Sequence, residues 1–404
     1  MKALIFLLVM LPASSWAMTF DEVMAAARQH AAVVAAEQDA NIAQAGADAY
    51  WRANVIPTLG AQATATWRDQ AVGVDTPIGL FEQFAKSDVR AGVEARLPLL
   101  RADAWFSGMD ARSGEAQAAQ LMVKREAEHA ERRAANVYFD TLVLREQLLV
   151  TQAYVSSLQA QLGRVEALAA EGRIVDSDVL RVQVALKQAL LQQRTIERQI
   201  PVLEGDLGRL VGSNQPVQPE ALPDLSPIAG ERSDVAALLL VEKAHVDRER
   251  EVWLSLVPRV DAFGRANWTD NDALNTQTWF EVGVTLEWSI FEAGTRTQRA
   301  DIESAQATRS RVQHDDARRG VAVQVAAATA QAENAEDAIA IEQEALRDSQ
   351  KTLELINARY EAGAAILTDL LQAQADVRDH SARLAVARIQ TQRARMEMQF
   401  ATGN

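Results

Sequence analysis

Apolar and polar residues alternate in four short segments of the chain, and this alternation predicts four β-strands. In the last segment every even-numbered position from Phe280 to Ile290 is apolar, and the odd-numbered positions between them are Glu, Gly, Thr or Ser. The other segments begin at Thr58, Val89 and Arg259, with Phe263 as the exception on a polar side. Each strand therefore has one apolar face and one polar face.

In other parts of the chain, apolar residues recur with the spacing that is typical of long helices. Apolar side chains recur every seven residues at Ile339, Leu346, Leu353 and Tyr360, which is typical of a coiled coil. Because no proline occurs from Thr295 onward, the 66 residues to Tyr360 predict a helix about 100 Å long. The corresponding helix of the first half, 104–170, carries its own seam at Leu144, Leu148, Val155, Leu158, Leu162 and Val165.

The two halves of the chain are duplicates. Ile56-Pro57 matches Val257-Pro258 at an offset of 201 residues, and the strand from Val89 matches the one from Phe280 at an offset of 191. In the first half the predicted order is a helix (20–53), a strand (58–67), a loop (68–87), a strand (89–99), a very long helix (104–170), a tight turn (171–175) and a helix (177–211). We expect Pro201 to kink that last helix or to end it early. The predicted domains are a first repeat, 18–212, a proline-rich linker, 213–230, and a second repeat, 231–404.

Composition narrows the functional classes. Residues 1–17 read as a secretory signal peptide, with small residues before a cut after Ala17. The formal charge of −14 argues against nucleic-acid binding, and the absence of cysteine excludes disulfides and thiolate metal sites. The five histidines lack helical metal spacing, and no nucleophile, base and orienting group can be named, so we expect neither enzyme activity nor a cofactor nor a metal site.

The strands suggest insertion into a membrane. No later segment has the roughly 18 apolar residues that a membrane helix needs, whereas strands of about ten residues with tryptophans near their ends are typical of an outer-membrane barrel. The alternative is a soluble sandwich. Four strands cannot close a barrel, so two or three copies of the chain would have to combine, and a charged interior favours three. The residues expected to face the lumen are Arg90, Glu94, Arg96, Arg259, Asp261, Arg265, Glu281 and Glu287.

The layout resembles the TolC-type outer-membrane efflux protein family, over essentially the whole chain from Thr19. The features that carry the resemblance are the two-fold repeat, the two strand-opening prolines, and Tyr360-Glu361-Ala362-Gly363 followed by Asp369-Leu370-Leu371. The resemblance implies a mostly α fold with a small β part. Four strands per chain would contribute to a trimeric transmembrane β-barrel of twelve strands, continued across the periplasm by an α-barrel of long helices. It also implies a homotrimer that docks to a periplasmic adaptor protein and an inner-membrane pump.

Within that family, the turns at Gly172 and Gly363 would form the periplasmic tip that meets the adaptor. Tyr360, Asp369, Asp178 and Asp176 would lie near the gate, where the carboxylates of three copies should favour cations and divalent ions. A simpler interpretation is that Asp178 and Asp369 have a helix-capping role, because an aspartate is favourable in the first turn of the next helix. Where better-known members carry an arginine and an aspartate, this chain has Ala365 and Gln372, so the implied salt-bridge latch is in doubt.

Two other functions stay open at this point. The same fold could serve as the outer-membrane duct of a type I protein secretion system, because the sequence of a passive tunnel contains little information about what the tunnel transports. Alternatively, the chain could be a periplasmic coiled-coil protein, such as an adaptor or an adhesin stalk, in which the strands form a small soluble domain.

Overall fold

The structure is a computed structural model that describes residues 16–70, 72–77, 79–84, 87–100, 102–225, 230, 232–270 and 276–403. Most of the predicted signal peptide, residues 1–15, lies outside these residues. The helices are α1 (Phe20–Ala27), α2 (Ala31–Val55), α3 (Ala102–Ala170), α4 (Asp176–Leu210), α5 (Ser233–Leu254), α6 (Thr295–Glu361) and α7 (Leu367–Thr402). The strands are β1 (Trp16–Met18), β2 (Thr58–Trp67), β3 (Val72–Thr76), β4 (Gly79–Phe84), β5 (Ser87–Leu100), β6 (Val217–Pro219), β7 (Arg259–Thr269) and β8 (Thr278–Glu287).

The chain divides into two compact units, and each takes segments from both predicted repeats. The first unit comprises Met1–Ala36, Met122–Asp234 and Ala317–Asn404. The second comprises Glu37–Leu121 and Val235–Asp316. The long helices α3 and α6 each contribute to both units.

The second unit contains the sheet that the alternation predicts. Its four strands are antiparallel and lie in the order β2-β5-β7-β8, so that β2 and β8 are its outer strands. Strand β2 has the predicted bounds, because its alternation ends cleanly at Trp67. Strand β8 ends at Glu287, three residues before the predicted end at Ile290. Strand β5 extends beyond its prediction at both ends, to Ser87 and Leu100.

The predicted loop 68–87 is wrong, because it contains a second hairpin. Strands β3 and β4 pair with each other antiparallel and are not part of the four-stranded sheet. The predicted linker also contains regular structure, since β6 pairs in parallel with β1 over three residues. Short strands of this kind carry too few alternating positions to be recognised from the sequence.

The predicted helix 20–53 is also wrong, because it is broken between Ala27 and Ala31. Thr19 begins α1 with a reciprocal capping pair to Glu22. At the break, His30 Nδ1 accepts a hydrogen bond from the amide of Ala32 at 3.2 Å, which satisfies one of the donors at the start of α2. A ring nitrogen in this role is not among the usual sequence signals for a helix start.

The core of the first unit brings together five elements of the sequence. Its largest buried side chains include Tyr138 and Phe139 of α3 and Leu207 of α4, all fully buried, with Phe20 of α1 packed edge-on against Tyr138. This packing explains why α4 contains Pro201 and still continues to Leu210, which corrects the expectation of an early end. The last turns of α4 are held by the core rather than by backbone hydrogen bonds alone.

The coiled-coil seams are confirmed within the first unit. Val155, Leu158 and Val165 of α3 are buried, as the spacing predicts. The heptad positions of α6, from Ile339 to Tyr360, are half-buried. Among the described residues, the helices lack any stretch that is both long enough and apolar enough to cross a membrane.

Candidate functional site

The polar face of the four-stranded sheet carries a network of ion pairs. Glu94 of β5 accepts hydrogen bonds from Arg96 on its own strand, at 2.7 Å, and from Arg265 directly across on β7, at 2.8 Å. Arg259 and Glu287, which lie opposite each other on β7 and β8, form a second pair. All five side chains are partly exposed, so these pairs hold the charged groups in place without removing them from solvent.

The remaining members of the predicted lumen-facing set are Arg90, Glu281 and Asp261. Arg90 pairs with Asp88 at 2.7 Å, and Glu281 accepts a hydrogen bond from the indole of Trp279, also at 2.7 Å. Asp261 is 5% exposed and is the one buried residue of the set. The set contains four arginines and four carboxylates, so the formal charges of these eight residues balance.

The opposite face of the sheet is apolar and uncovered. Its most exposed side chains are on the outer strands, where Leu59 is 77% exposed, Phe280 79% and Val282 91%. Large contiguous apolar surface of this kind marks contact with lipid or with another protein. The sheet therefore has charged side chains on one face and exposed apolar side chains on the other.

The two glycine turns of the first unit have the same backbone geometry. Gly172 has φ +70° and Gly363 has φ +73°, which is the left-handed conformation predicted for both. After α3, the amides of Gly172 and Arg173 donate to the carbonyls of Ala169 and Leu168, both at 2.9 Å. The amides of Gly363 and Ala364 repeat this pattern after α6. Both long helices thus end in a motif that satisfies their last carbonyls and turns the chain sharply.

The aspartates after these turns lie in the first turns of α4 and α7 and not at the caps. The N-cap residues are Val175 and Ile366, neither of which makes a side-chain capping hydrogen bond, and the predicted place of Asp178 and Asp369 in the first turn of the next helix is confirmed. Asp176 and Asp369 are exposed, and Asp178 is half-buried. Their charges remain favourable near the positive ends of the two helix dipoles.

Tyr360 packs close to one of these carboxylates. Its ring contacts the cluster of Val165, Val182 and Leu367, and burial, followed by the nearby Asp178 carboxylate, raises the pKa of the Tyr360 hydroxyl. Tyr360 and Asp178 line a cavity of about 570 Å³ together with the turn residue Gly363. The structure therefore brings Tyr360 and Asp178 to one place.

A polar contact that the sequence did not predict joins α4 to α7. Arg181 of α4 donates a hydrogen bond to the hydroxyl of Thr368 in α7, at 2.7 Å. At the proposed latch positions, Ala365 has no polar side chain and Gln372 donates to Asp376 along its own helix, at 2.8 Å. The only sequence feature that could have pointed to Arg181 was its position on the helix, one turn after Asp178.

Among the described residues, no group of three or more His, Asp or Glu side chains is arranged to hold a metal ion.

Comparison with known proteins agrees with this architecture. Residues 240–404 match a family model described as outer membrane efflux protein. No curated protein matches the chain in sequence.

Solved structures match the fold over nearly the whole chain. The outer membrane protein VceC of Vibrio cholerae is 15% identical, with a TM-score of 0.83 over 95% of this chain and 96% of that one. The Campylobacter jejuni CmeC outer membrane channel is 12% identical, with a TM-score of 0.82 over 95% and 85% of the two chains. The open state of the Neisseria gonorrhoeae MtrE outer membrane channel is 16% identical, with a TM-score of 0.78 over 95% and 89%.

These matches confirm the resemblance predicted from the sequence, by the family model for the second half and by the fold for nearly all of the chain. They confirm a mostly helical fold with a small sheet part. Two of these neighbours, CmeC and MtrE, are described as outer membrane channels.

Proposed function

We propose that three copies of this chain form the outer-membrane exit duct of a tripartite efflux system. The proposal proceeds from the match of residues 240–404 to the outer membrane efflux protein model and from the similarity of the fold to solved outer membrane proteins. The duct would passively conduct substrates that an inner-membrane pump and a periplasmic adaptor deliver. The observation that carries the proposal is the four-stranded sheet, with a charged face, an exposed apolar face and two outer strands. In lipid, the backbone groups at such open edges must be paired, and three copies provide twelve strands for that purpose.

The charged face of the sheet is our proposed lumen. Because side chains alternate between the faces of a strand, placing Phe280 and Val282 toward lipid places Glu281 and the Glu94–Arg265 pair toward water. The same assignment covers Arg90, Arg96, Arg259, Asp261 and Glu287. A lumen-facing set of residues with balanced charge is suited to passing cargo of either sign, so the pump would select the substrate.

The two glycine turns are our proposed periplasmic tip. Gly172 and Gly363 would present the adaptor-docking surface, and Tyr360 with Asp178, Asp176 and Asp369 would surround the constriction. The proximity of Tyr360 to Asp178 supports this grouping. Ala365 and Gln372 cannot form an ionic latch. Two other polar contacts join α3 and α4 to α6 and α7 near these turns: the hydrogen bond from Arg181 to Thr368 and the ion pair of Arg164 with Glu361 at 3.7 Å.

The test is whether the purified protein is an oligomeric channel. Mature protein extracted in mild detergent should migrate as a trimer that heat converts to monomer, and it should conduct ions when reconstituted in a planar bilayer. In cells it should resist extraction from the membrane pellet by salt and by carbonate. A monomer without conductance that is released with the periplasmic fraction would contradict the proposal and favour a coiled-coil stalk.

A further inference from the structure

A second cavity of the first unit is lined mainly by charged side chains and shares no residue with the cavity at Tyr360. Its volume is about 480 Å³, within the range of roughly 300–1,000 Å³ that is typical of small-molecule sites. It is formed by α3, α6, α7 and the residues at the start of α5. The proposed exit duct makes no use of it. The charged residues that line it are Arg125, Glu128, Arg132, Arg232, Asp234 and Glu397.

Most of these charged groups are paired with one another. Arg232 donates two hydrogen bonds to Asp234, at 2.8 and 2.6 Å, and a third to Gln324 of α6, at 2.6 Å. Arg132 of α3 holds both carboxylate oxygens of Glu397 of α7, at 3.0 and 2.7 Å. These pairs keep the walls of the cavity in place, so the polar atoms that stay unpaired there are the candidates for binding a ligand.

Arg125 and Glu128 each have one such unpaired atom. Their side chains are only 9% and 5% exposed, and Arg125 Nη1 donates to Glu128 Oε2 at 2.8 Å. Arg125 Nε and Glu128 Oε1 are buried and have no hydrogen-bond partner. Asp234 Oδ2 lies 3.6 Å from that Nε, which is too far for a hydrogen bond. Because an unpaired polar atom in a buried position is costly, one donor and one acceptor side by side indicate a partner from outside the chain.

The electrostatic surroundings of the cavity favour an anion. Burial, followed by the positive charge of Arg125, lowers the pKa of His129, whose ring lines the same cavity. Arg133 and Arg132 also lower this pKa, whereas Glu126 acts in the opposite direction and more weakly than Arg125. The charges around the ring therefore act on it as a net positive charge, which attracts an anion.

We infer that this cavity binds inorganic phosphate, with Arg125 Nε donating to a phosphate oxygen and a phosphate hydroxyl donating to Glu128 Oε1. Hydrogen bonds to charged partners of this kind are among the strong ones. Inorganic phosphate keeps a proton at neutral pH, so it can accept from the arginine and donate to the carboxylate. Sulfate has no proton to donate and would place its own charge against the free oxygen of Glu128. Glu128 should therefore select phosphate over sulfate.

Direct binding tests this site. The purified mature protein in mild detergent would be dialysed to equilibrium against radiolabelled inorganic phosphate at slightly alkaline pH and constant ionic strength. We expect saturable binding of one ion per chain. Unlabelled sulfate should compete about tenfold less well than unlabelled phosphate, because it loses a hydrogen bond to a charged group. Glycerol phosphate, a monoester with a second pKa of about 6, has also lost its proton under these conditions and should compete weakly. This arm separates inorganic phosphate from phosphate esters such as lipid headgroups.

Three variants assign the roles of the two side chains. Arg125→Gln removes the donor and should weaken phosphate binding about tenfold. Glu128→Gln should reduce the preference for phosphate over sulfate to about threefold or less, because an amide can donate to either ion. The matched control is Arg133→Gln, which removes the same charge from an exposed position of α3 that does not line the cavity. It should change the affinity by less than about threefold, since solvent screens that charge.

A folded parent protein without saturable phosphate binding would overturn the inference, and so would sulfate that competes as well as phosphate. Equal losses in Arg125→Gln and Arg133→Gln would show general attraction by positive charge and would also overturn it. Circular dichroism checks that each variant is folded. If Arg125→Gln does not fold, Glu128→Gln, which keeps Arg125, decides the question by its selectivity. Binding is counted per chain, so the result does not depend on whether the protein is a trimer or conducts ions.

Discussion

The core of the first unit and the sheet of the second unit solve the problem of burying apolar surface in different ways. Around Phe20, Tyr138 and Phe139, the chain buries its large side chains completely within itself. On the sheet, Phe280 and Val282 remain almost fully exposed in a single chain. The difference teaches that one unit is stabilised by its own packing, whereas the other leaves apolar surface that, in the proposed duct, lipid and further copies of the chain would cover.

The largest contrast should come from two phenylalanines. Phe139→Ala opens a cavity in a fully buried cluster, so we expect the free energy of unfolding in detergent to fall by about 3–5 kcal/mol. Phe280→Ala removes a ring that contacts solvent or detergent, and should cost about 1–2 kcal/mol. Denaturant titrations followed by circular dichroism measure both. Equal losses would mean that the two regions are stabilised alike.

A charge placed on the apolar face of the sheet tests whether that face contacts lipid. Val282→Arg should cost about 2–4 kcal/mol of membrane stability if this face meets lipid. Gln62→Arg, on the polar face, is the matched control and should be tolerated. Urea extraction of membrane pellets compares the two variants, and similar extraction of both would show that the faces are assigned incorrectly.

The glycine turns of the first unit should depend on backbone conformation alone. Gly363→Ala forces a side chain into φ +73° and should destabilise the protein by about 1–2 kcal/mol. Gly320→Ala lies inside α6 with open space around its Cα and should instead stabilise it by about 0.5–1 kcal/mol. Thermal unfolding distinguishes the two substitutions by their opposite signs.

The exposed carboxylate after the second turn should affect conduction rather than stability. If Asp369 lies at the constriction, Asp369→Ala should weaken block by divalent cations about two- to fivefold, because an exposed charge contributes little binding energy. Planar-bilayer recordings before and after addition of Mg²⁺ measure the effect. Unchanged block would leave Asp369 with only its interaction with the helix dipole.

The smallest expected effect concerns a histidine in the first unit. Burial, followed by the neighbouring Arg125, lowers the pKa of His129. The unfolded chain therefore takes up this proton first, and stability should decline as the pH falls below the ordinary histidine value of about 6.5. His129→Gln should lose less stability than the parent between neutral pH and the lower pKa. Identical pH profiles in denaturant titrations would contradict this contribution.

Features with a strong local cause could be predicted from the sequence. Alternation in Thr58–Trp67 fixed the bounds of β2, and the glycines at 172 and 363 predicted both left-handed turns. The break at His30 was missed because a histidine ring replaced the usual capping hydroxyl or carboxylate. The hydrogen bond between Arg181 and Thr368 was missed because it depends on how α4 packs against α7. These helices are far apart in the sequence, and no local sequence pattern indicates how they pack.

Hairpin β3–β4 has a consequence for symmetry. It occupies the connection between β2 and β5, which is ten residues longer than the duplicate connection between β7 and β8. Six nearly identical strand pairs would thus be joined at their tips by two alternating kinds of loop. Anything that approaches the outer mouth of such a pore would meet a rim with three repeats, although the wall beneath it has six.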